Sequence, residues 1–322
     1  MKWRNLTLWM SAAACLCAAA LAQAAVEVQT YAVPRGAGPH DVAPGADGVV
    51  WYTAQAQGAL GRLDPASGAV RQIPLGTGSA PHGLVVGPDQ AVWITDGGLN
   101  AIVRYDPASG GIKRYPLPAE RANANLNTPV FDHAGILWFT GQNGIYGRLD
   151  TKTGAMQVYD APRGAGPYGI AVGRDGAVYY ASLAGNHIAR IDPVDGSSTV
   201  IEPPTPRQGA RRIWGDSGGR LWVSEWNAGQ VSRYDPATRN WRSWKLPGKG
   251  AQAYAVYVDA QDIVWLTDFA ANAVLRFDPK SETFTAFPEP KTGGRIRQLA
   301  GREREVWGAE SGTDHLMVLR TR

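Results

Sequence analysis

The sequence predicts an all-β, seven-bladed β-propeller with four antiparallel strands per blade, closed into a ring by its N-terminal strand. Three observations predict this fold. An aromatic residue recurs about every 42 residues, and each repeat contains the same four strand-like segments. The last repeat also lacks one segment, and the start of the chain supplies a similar one.

The aromatic residue appears once in each of seven repeats, at spacings of 42, 45, 41, 43, 43 and 42 residues. Repeats of roughly 40–50 residues are typical of propeller blades. We expect these aromatic side chains to lie in the blade cores. They are Trp51, Trp93, Trp138, Tyr179, Trp222, Trp265 and Trp307.

Each repeat reads as four short strands separated by turns. A first apolar strand such as residues 83–86 precedes a Gly/Asp turn, and the second strand carries the aromatic residue. The third strand ends in Arg-x-Asp, as at residues 104–106, before a turn that often contains Pro and Gly. The fourth strand alternates and tolerates Pro, as at residues 69–74, which indicates the outer edge of a blade.

The two ends of the chain complement each other. The last repeat stops at its third strand, near residues 317–320, and has no fourth. Residues 26–34 resemble the fourth strands of the other repeats. Pairing of the two ends would complete the seventh blade and leave no open sheet.

Residues 1–24 have the pattern of a secretory signal peptide: a basic start at Lys2 and Arg4, an apolar stretch and the small-x-small sequence Ala22-Gln23-Ala24. The alternative is an uncleaved anchor. Cleavage would leave residues 25–322 as one propeller domain, periplasmic or secreted, with no membrane span. Because Cys15 and Cys17 both lie in the leader, that domain would contain no thiol nucleophile and no thiolate metal site.

The charge balance argues against a nucleic-acid partner. Two of the 32 Lys and Arg residues and none of the 28 acids lie in the leader, so the mature chain has a net charge of about +2. Nucleic-acid binding requires Lys and Arg clustered on one face, and no such run occurs.

Strand geometry predicts where a site can lie. The first strand of a blade lies nearest the channel, and its start lies beside the end of the second strand. Two positions per blade, eleven residues before the aromatic marker and three after it, should therefore line one channel mouth. The first set is His40, His82, Asn127, Tyr168, Arg211, Tyr254 and Ile296, with Arg212 and Arg297 adjacent. The second set is Ala54, Asp96, Gly141, Ser182, Glu225, Asp268 and Glu310.

These positions vary between repeats and are mostly polar, whereas a purely structural position would keep one residue type. Convergent polar groups in a concave site favour a binding site for a small-molecule or peptide-like ligand. The alternative is that they only solvate a water-filled channel. Tyr168, Arg211, Arg212, Tyr254 and Arg297 are the candidate ligand-binding residues.

The repeats resemble those of the streptogramin B (virginiamycin B) lyases. The resemblance is carried by Pro-[His/Tyr]-Gly-Ile, Trp-Phe-Thr-Glu and Asn-x-Ile-Gly-Arg patterns, matched here by residues 81–84, 92–96, 100–104, 167–170 and 221–225. It covers nearly the whole mature chain. It implies a lyase that opens an ester-containing ring by elimination, with a histidine base and a magnesium ion held near carboxylates.

The sequence departs from that family where the last blade should carry the catalytic histidine. Residues 295–298 read Arg-Ile-Arg-Gln, and the nearby acid Glu310 is offset by one residue. Histidines in two adjacent blades, with an acid in the second, do occur elsewhere in the ring: His40, then His82 and Asp96.

The resemblance therefore implies a carbon–oxygen lyase in which His82 is the base, Asp96 orients it or binds metal, and His40 is a further polar contact. Mg²⁺ or another divalent cation would be held by Asp96, Glu225, Asp268 and Glu310. A competing site combines Glu310 with Arg297, Glu225 or Asp268. Two other functions remain open: a non-catalytic periplasmic ligand-binding propeller and a lactonase-like metal hydrolase.

Overall fold

The structure, a computed structural model, describes residues 26–321, so the predicted leader lies outside the described part. Seven sheets of four antiparallel strands form a ring, which confirms the predicted seven-bladed β-propeller. Two short 3-10 helices, Gln55–Gln57 and Ala119–Arg121, lie in loops. No helix among the described residues is long and apolar enough to cross a bilayer.

The strands are numbered β1 to β28 along the chain, and each blade contributes one inner, two middle and one outer strand. The inner strands are β2 (Pro39–Pro44), β6 (Pro81–Val86), β10 (Leu126–Phe131), β14 (Pro167–Val172), β18 (Ala210–Gly215), β22 (Ala253–Val258) and β26 (Ile296–Arg302). The second strands are β3 (Val50–Ala54), β7 (Val92–Asp96), β11 (Ile136–Gly141), β15 (Val178–Ser182), β19 (Leu221–Glu225), β23 (Val264–Asp268) and β27 (Glu305–Glu310). The third strands are β4 (Ala59–Asp64), β8 (Ala101–Tyr105), β12 (Ile145–Asp150), β16 (His187–Ile191), β20 (Gln230–Asp235), β24 (Ala273–Asp278) and β28 (His315–Thr321). The outer strands are β5 (Ala69–Pro74), β9 (Ile112–Pro116), β13 (Met156–Asp160), β17 (Ser198–Ile201), β21 (Asn240–Lys245), β25 (Thr283–Pro288) and β1 (Val26–Ala32).

Contacts between neighbouring inner strands run around the whole ring, from β2 through β26 and back to β2. The inner strands therefore surround a central channel, as the sequence predicts. Apolar side chains of adjacent blades pack together in the spaces between the sheets. One such cluster joins Trp51 and Leu60 of the first blade to Leu84 and Ile94 of the second.

The six repeated tryptophans are buried, and five of them donate a hydrogen bond from the indole nitrogen. The indole Nε1 of Trp138 donates to Asp132 (2.8 Å) and that of Trp265 to Asp259 (2.8 Å), each acid lying in the turn before the second strand. A buried indole N–H requires an acceptor. The turn acid and the aromatic residue thus act together in these two blades, where the acid precedes the tryptophan by six positions.

The N-terminal strand β1 completes the seventh blade, as predicted. It pairs with β28 along its whole length, from Val26 opposite Thr321 to Ala32 opposite His315. The ring of Tyr31 stacks on Trp307 of the same blade, with centroids 5.6 Å apart. The ring is therefore closed by strands from the two ends of the described chain.

Candidate functional site

A β-bulge at the start of each inner strand brings side chains to one end of the channel. The ladder between β2 and β3 shifts register between Pro39 and Val42, and the same shift recurs in all seven blades. Bulged residues leave the ladder and re-aim their side chains. We call this end of the channel the bulge mouth. Its side chains used below are His40, Asp41, His82, Asn127, Thr128, Tyr168, Arg211, Arg212, Tyr254 and Arg297.

A buried ion pair crosses the channel at the bulge mouth. Arg212 Nη2 donates to Asp41 Oδ1 (2.9 Å), and Arg212 Nη1 donates to Thr128 Oγ1 (2.8 Å). The side chains of Arg212 and Asp41 are 5% and 2% exposed. Below this bridge the channel continues as a cavity of about 240 Å³ with mostly aliphatic side chains, reaching from Asp41 and Arg212 to Gly301. The bridge thus separates a polar mouth from an apolar lower channel.

Asp41 also fixes the orientation of a histidine. His40 Nδ1 lies 2.8 Å from Asp41 Oδ1, and a carboxylate accepts, so Nδ1 carries the hydrogen. The lone pair of His40 then lies on Nε2, which has no hydrogen-bond partner among residues 26–321. Burial lowers the pKa of His40 below its usual value, although Asp41 partly offsets this. His40 is therefore an oriented, neutral imidazole with a free acceptor nitrogen.

His82 lies against His40, with ring centroids 3.9 Å apart. Thr128 Oγ1 donates to Asn127 Oδ1 (2.7 Å), so the Asn127 amide nitrogen faces His82 Nε2 at 3.3 Å. The hydrogen of His82 is then on Nδ1, which is buried and has no partner in the described part of the chain. Burial and the neighbouring His40 hold the pKa of His82 well below its usual value. His82 therefore offers a free N–H donor beside the free acceptor of His40.

Tyrosines and arginines form the other half of the mouth. The hydroxyls of Tyr168 and Tyr254 are 2.5 Å apart, and Arg211 Nη2 donates to Tyr168 Oη (3.2 Å). The Arg211 guanidinium lies 3.5 Å from the ring centroid of Tyr254 and 4.8 Å from that of Trp226. Arg297 Nη1 approaches Tyr254 Oη at 3.5 Å. Three of the predicted ligand-binding residues thus meet at Tyr254.

The two tyrosines differ in acidity. Burial raises the pKa of Tyr168 to about 12, with a further contribution from Tyr254. Burial would also raise the pKa of Tyr254, but the positive charges of Arg211 and Arg212 and the hydrogen bond from Tyr168 bring it below its usual value. Tyr254 is therefore the more acidic member of the pair.

The four carboxylates predicted as metal ligands do not converge on the histidines. Asp96 accepts from Ser79 Oγ (2.5 Å) and from the backbone N–H groups of Ala80 and Leu99 (both 2.9 Å). Asp268 accepts in the same way from Gln252 and Ala270 N–H, at 2.9 and 3.0 Å. These carboxylates hold the turns beside their own strands, and Asp96 makes no hydrogen bond to His82 or His40 in the described chain.

Glu225 and Glu310 are also bonded locally, to Gln230 (2.5 Å) and Thr313 (2.5 Å). Each keeps one buried oxygen with no partner among the described residues. Burial raises the pKa of Glu225 to about 7. Burial and the charge of Glu310 likewise raise the pKa of Glu289 to about 7. Glu289 was not among the residues predicted from the sequence.

The donor set at the bulge mouth fits magnesium poorly. His40, Asp41 and His82 offer ligand atoms that all lie within 4.8 Å of one another. Mg²⁺ prefers several oxygen ligands, whereas this group supplies two imidazoles and one carboxylate, and that carboxylate is already paired with Arg212. The residues present do not provide the converging oxygen ligands that the predicted ion would need.

Some mouth residues were missed by the sequence analysis. Asp41 and Thr128 each directly follow a predicted mouth residue, and each lies in the same bulge as the residue it follows. Trp226 and Phe269 directly follow the second strands of blades five and six, and both pack on Tyr254, with centroids 5.6 and 4.7 Å away. In the sequence, the sign of this role was a large aromatic residue directly after the predicted mouth positions Glu225 and Asp268.

The match to a known protein family agrees with the fold and the sequence motifs. The model of the virginiamycin B lyase family matches residues 4–240, more than half of the chain. This chain belongs to the virginiamycin B lyase family. No curated protein sequence matches it significantly.

Solved structures of the family's lyases have the same fold. A streptogramin B lyase structure is 22% identical with a TM-score of 0.85, covering 92% of this chain and 98% of that chain. A catalytically inactive virginiamycin B lyase from Staphylococcus aureus, solved with quinupristin, is 23% identical with a TM-score of 0.86, covering 92% and 100%. A structure of YCF48 bound to D1 peptide is 13% identical with a TM-score of 0.73, covering 92% and 97%. At these identities the likeness shows the fold.

Proposed function

We propose that this protein is a carbon–oxygen lyase that opens an ester-containing small molecule by elimination at the bulge mouth. The observation that carries the proposal is the arrangement of two neutral imidazoles in contact. His40 presents a free acceptor nitrogen and is oriented by Asp41, and His82 presents a free donor. Membership of the virginiamycin B lyase family supports the reaction type.

In the proposed reaction, His40 Nε2 takes a proton from the carbon between a carbonyl group and the carbon that bears the ester oxygen. The electron pair left on that carbon forms a carbon–carbon double bond, and the carbon–oxygen bond breaks. The ester leaves as a carboxylate, and no water is added. Charge that develops on the carbonyl oxygen is stabilised by the His82 N–H and by Arg211 or Arg297.

These roles differ from the sequence-based hypothesis, in which His82 was the base and Asp96 its partner. Asp96 is occupied by three donors of its own turn, whereas Asp41 contacts His40 directly. A carboxylate that accepts from Nδ1–H holds an imidazole in the tautomer that can act as a base through Nε2. His40 is therefore the better candidate for the base.

The test is the mass and turnover of a ring-opening reaction. Quinupristin, the ligand in the structure of the related Staphylococcus aureus enzyme, is the first substrate to try. Elimination gives an open product of unchanged mass, whereas a lactonase-like hydrolysis adds one water. We expect His40→Ala to lower turnover about 10²–10⁴-fold, the usual contribution of a positioned base.

His133→Ala is the matched control, because His133 lies exposed in a hairpin turn and should leave turnover unchanged. Full activity of folded His40→Ala would refute the assignment of the base. A product heavier by one water would replace the lyase with a hydrolase.

A non-catalytic ligand-binding propeller is the second candidate. It is favoured by the last blade, where Ile296 and Arg297 stand at the position that carries the catalytic histidine in the family's lyases. Tight binding of a ligand that the protein leaves chemically unchanged would support it.

We also propose that the protein acts in the periplasm or outside the cell, on the basis of the signal-peptide pattern in residues 1–24.

A further inference from the structure

Two of the three arginines at the bulge mouth have no carboxylate partner among the described residues. Arg211, Arg212 and Arg297 all face the Tyr168–Tyr254 pair, with guanidinium carbons 3.5–5.7 Å from a tyrosine ring centroid. Asp41 balances Arg212. Neither Arg211 nor Arg297 forms an ion pair within residues 26–321, and burial keeps both histidines neutral.

We propose that Arg211 and Arg297, together with the Tyr254 hydroxyl, form a binding site for a carboxylate group of the ligand. If the lyase function proposed above is correct, this site receives the carboxylate that elimination releases from the ester, next to an apolar or aromatic group.

The unused donors of the arginines support an anionic ligand. Arg211 makes one hydrogen bond, to Tyr168, and its Nε is buried with no partner in the described chain. Arg297 uses Nε on Ser311 (3.1 Å) and Nη1 on Tyr254. A guanidinium has five N–H donors that match a carboxylate in pairs, and a buried donor without a partner is costly.

Stacking on aromatic rings does not replace these hydrogen bonds. Arg211 lies over the rings of Tyr254, Tyr168 and Trp226, which stabilises its charge but supplies no acceptor for its N–H groups. The stacking instead holds the guanidinium plane in a fixed orientation, which reduces the entropy lost when a carboxylate binds.

The rim beside the arginines is aromatic. Trp226 and Phe269 pack edge to face, with centroids 5.4 Å apart, and both are partly exposed. An apolar group next to the carboxylate would cover these rings and exclude water from the ion pairs. The surroundings therefore favour an aryl or alkyl carboxylate over a small inorganic anion.

Binding of phenylacetate, measured by calorimetry with the full chain, tests the site. We expect phenylacetate to bind at least about tenfold more tightly than the neutral phenylacetamide or inorganic phosphate. Arg211→Met and Arg297→Met should each weaken phenylacetate binding about 10–100-fold. Arg71→Met, on the exposed outer strand β5, is the matched control and should bind like the unaltered protein.

A second readout is the ionisation of Tyr254, followed by the ultraviolet absorbance of the phenolate. Arg211, Arg212 and Arg297 lower the pKa of this hydroxyl against its burial, so a bound carboxylate should raise that pKa, and Tyr254→Phe should abolish the change. Equal affinity for phenylacetate and phenylacetamide, equal affinity for phosphate, or unweakened binding by the folded arginine variants would overturn the proposal. The binding assay needs no turnover. A protein that binds phenylacetate but does not open quinupristin therefore refutes the lyase function and leaves the carboxylate site intact.

Discussion

Arg212 of the fifth blade reaches across the channel to Asp41 of the first, and Nη2 lies 2.9 Å from Oδ1. The two residues are 171 positions apart in the chain, and both side chains are almost fully buried. Removal of one partner of a buried ion pair leaves the other charged and unpaired. We therefore expect Asp41→Asn to lower the free energy of unfolding by about 3–5 kcal/mol.

Urea denaturation measures this loss. The double variant Asp41→Asn with Arg212→Gln should recover part of it, because no unpaired charge is left. Asp160→Asn is the control, since its pair with Arg121 lies on the surface and should leave the transition midpoint unchanged. If Asp41→Asn is no less stable than the Asp160 variant, the bridge does not support the fold.

The pH profile of the proposed lyase should report the base. Burial lowers the pKa of His40 below its usual value of 6.5, so the neutral form persists to lower pH than for a free histidine. We expect kcat/KM to stay constant as pH falls through 6.5 and to drop only below it. An acid limb centred above pH 6.5 would contradict a buried, neutral His40 as the base.

Glu225 should make the protein less stable as pH rises. Its pKa is about 7 in the folded protein against 4.5 when free, because the carboxyl is buried, so the folded state retains its proton where the unfolded state has lost it. Stability from this group is therefore complete below pH 4.5 and falls as pH rises to about 7. Glu225→Gln should be more stable than the unaltered protein at pH 8 by roughly 1–3 kcal/mol.

Thermal unfolding at two pH values tests this. The advantage of Glu225→Gln should shrink to near zero at pH 4, where both side chains are neutral. Glu289→Gln should behave similarly, because burial and the charge of Glu310 raise the pKa of Glu289 to about 7. An advantage that is equally large at both pH values would show that it comes from packing and not from ionisation.

The β1 strand should hold the ring closed. Deletion of Val26–Ala32 removes its ladder to β28 and the stacking of Tyr31 on Trp307, so we expect a loss of several kcal/mol in the free energy of unfolding. Serine replacements at Glu27 and Gln29, which are both exposed, keep the strand and serve as the control. A truncated protein that melts at the same temperature as the control would refute this role.

Export should remove the leader. We expect the N-terminus of protein recovered from its own cell envelope to begin at Ala25, after Ala22-Gln23-Ala24. N-terminal sequencing measures it. Recovery of chains that still begin at Met1 in the cytoplasm would remove the proposal of a periplasmic or secreted protein.

The fold was predictable because its signal repeats. Trp93, Trp138, Trp222 and Trp265 each accompany a turn acid that accepts their indole N–H, so both residues recur together and mark every such blade. The closing strand was predictable for the same reason, since a missing segment in a repeat is visible without any knowledge of contacts.

The partners within the site were less predictable. Counting from the aromatic markers placed His40, His82, Tyr168 and Tyr254 at the mouth, but it paired His82 with Asp96. The bulge after Pro39 brings two consecutive side chains into the mouth, so Asp41, one position beyond the counted slot, contacts His40. Asp96 instead accepts from N–H groups of its own turn. The spacing of residues in the sequence does not predict where those N–H groups point.

The pairing of β1 with β28 joins residues separated by almost the whole described chain, with Val26 opposite Thr321. The hairpins within a blade can form from local contacts, whereas this pairing closes a loop of nearly the whole described chain, so we expect it to form late. We therefore expect the folded ring to open first at the seam beside Trp307. Among the pairs that an outer strand forms with its neighbour, hydrogen exchange should be fastest along this seam, and proteases should cut there first.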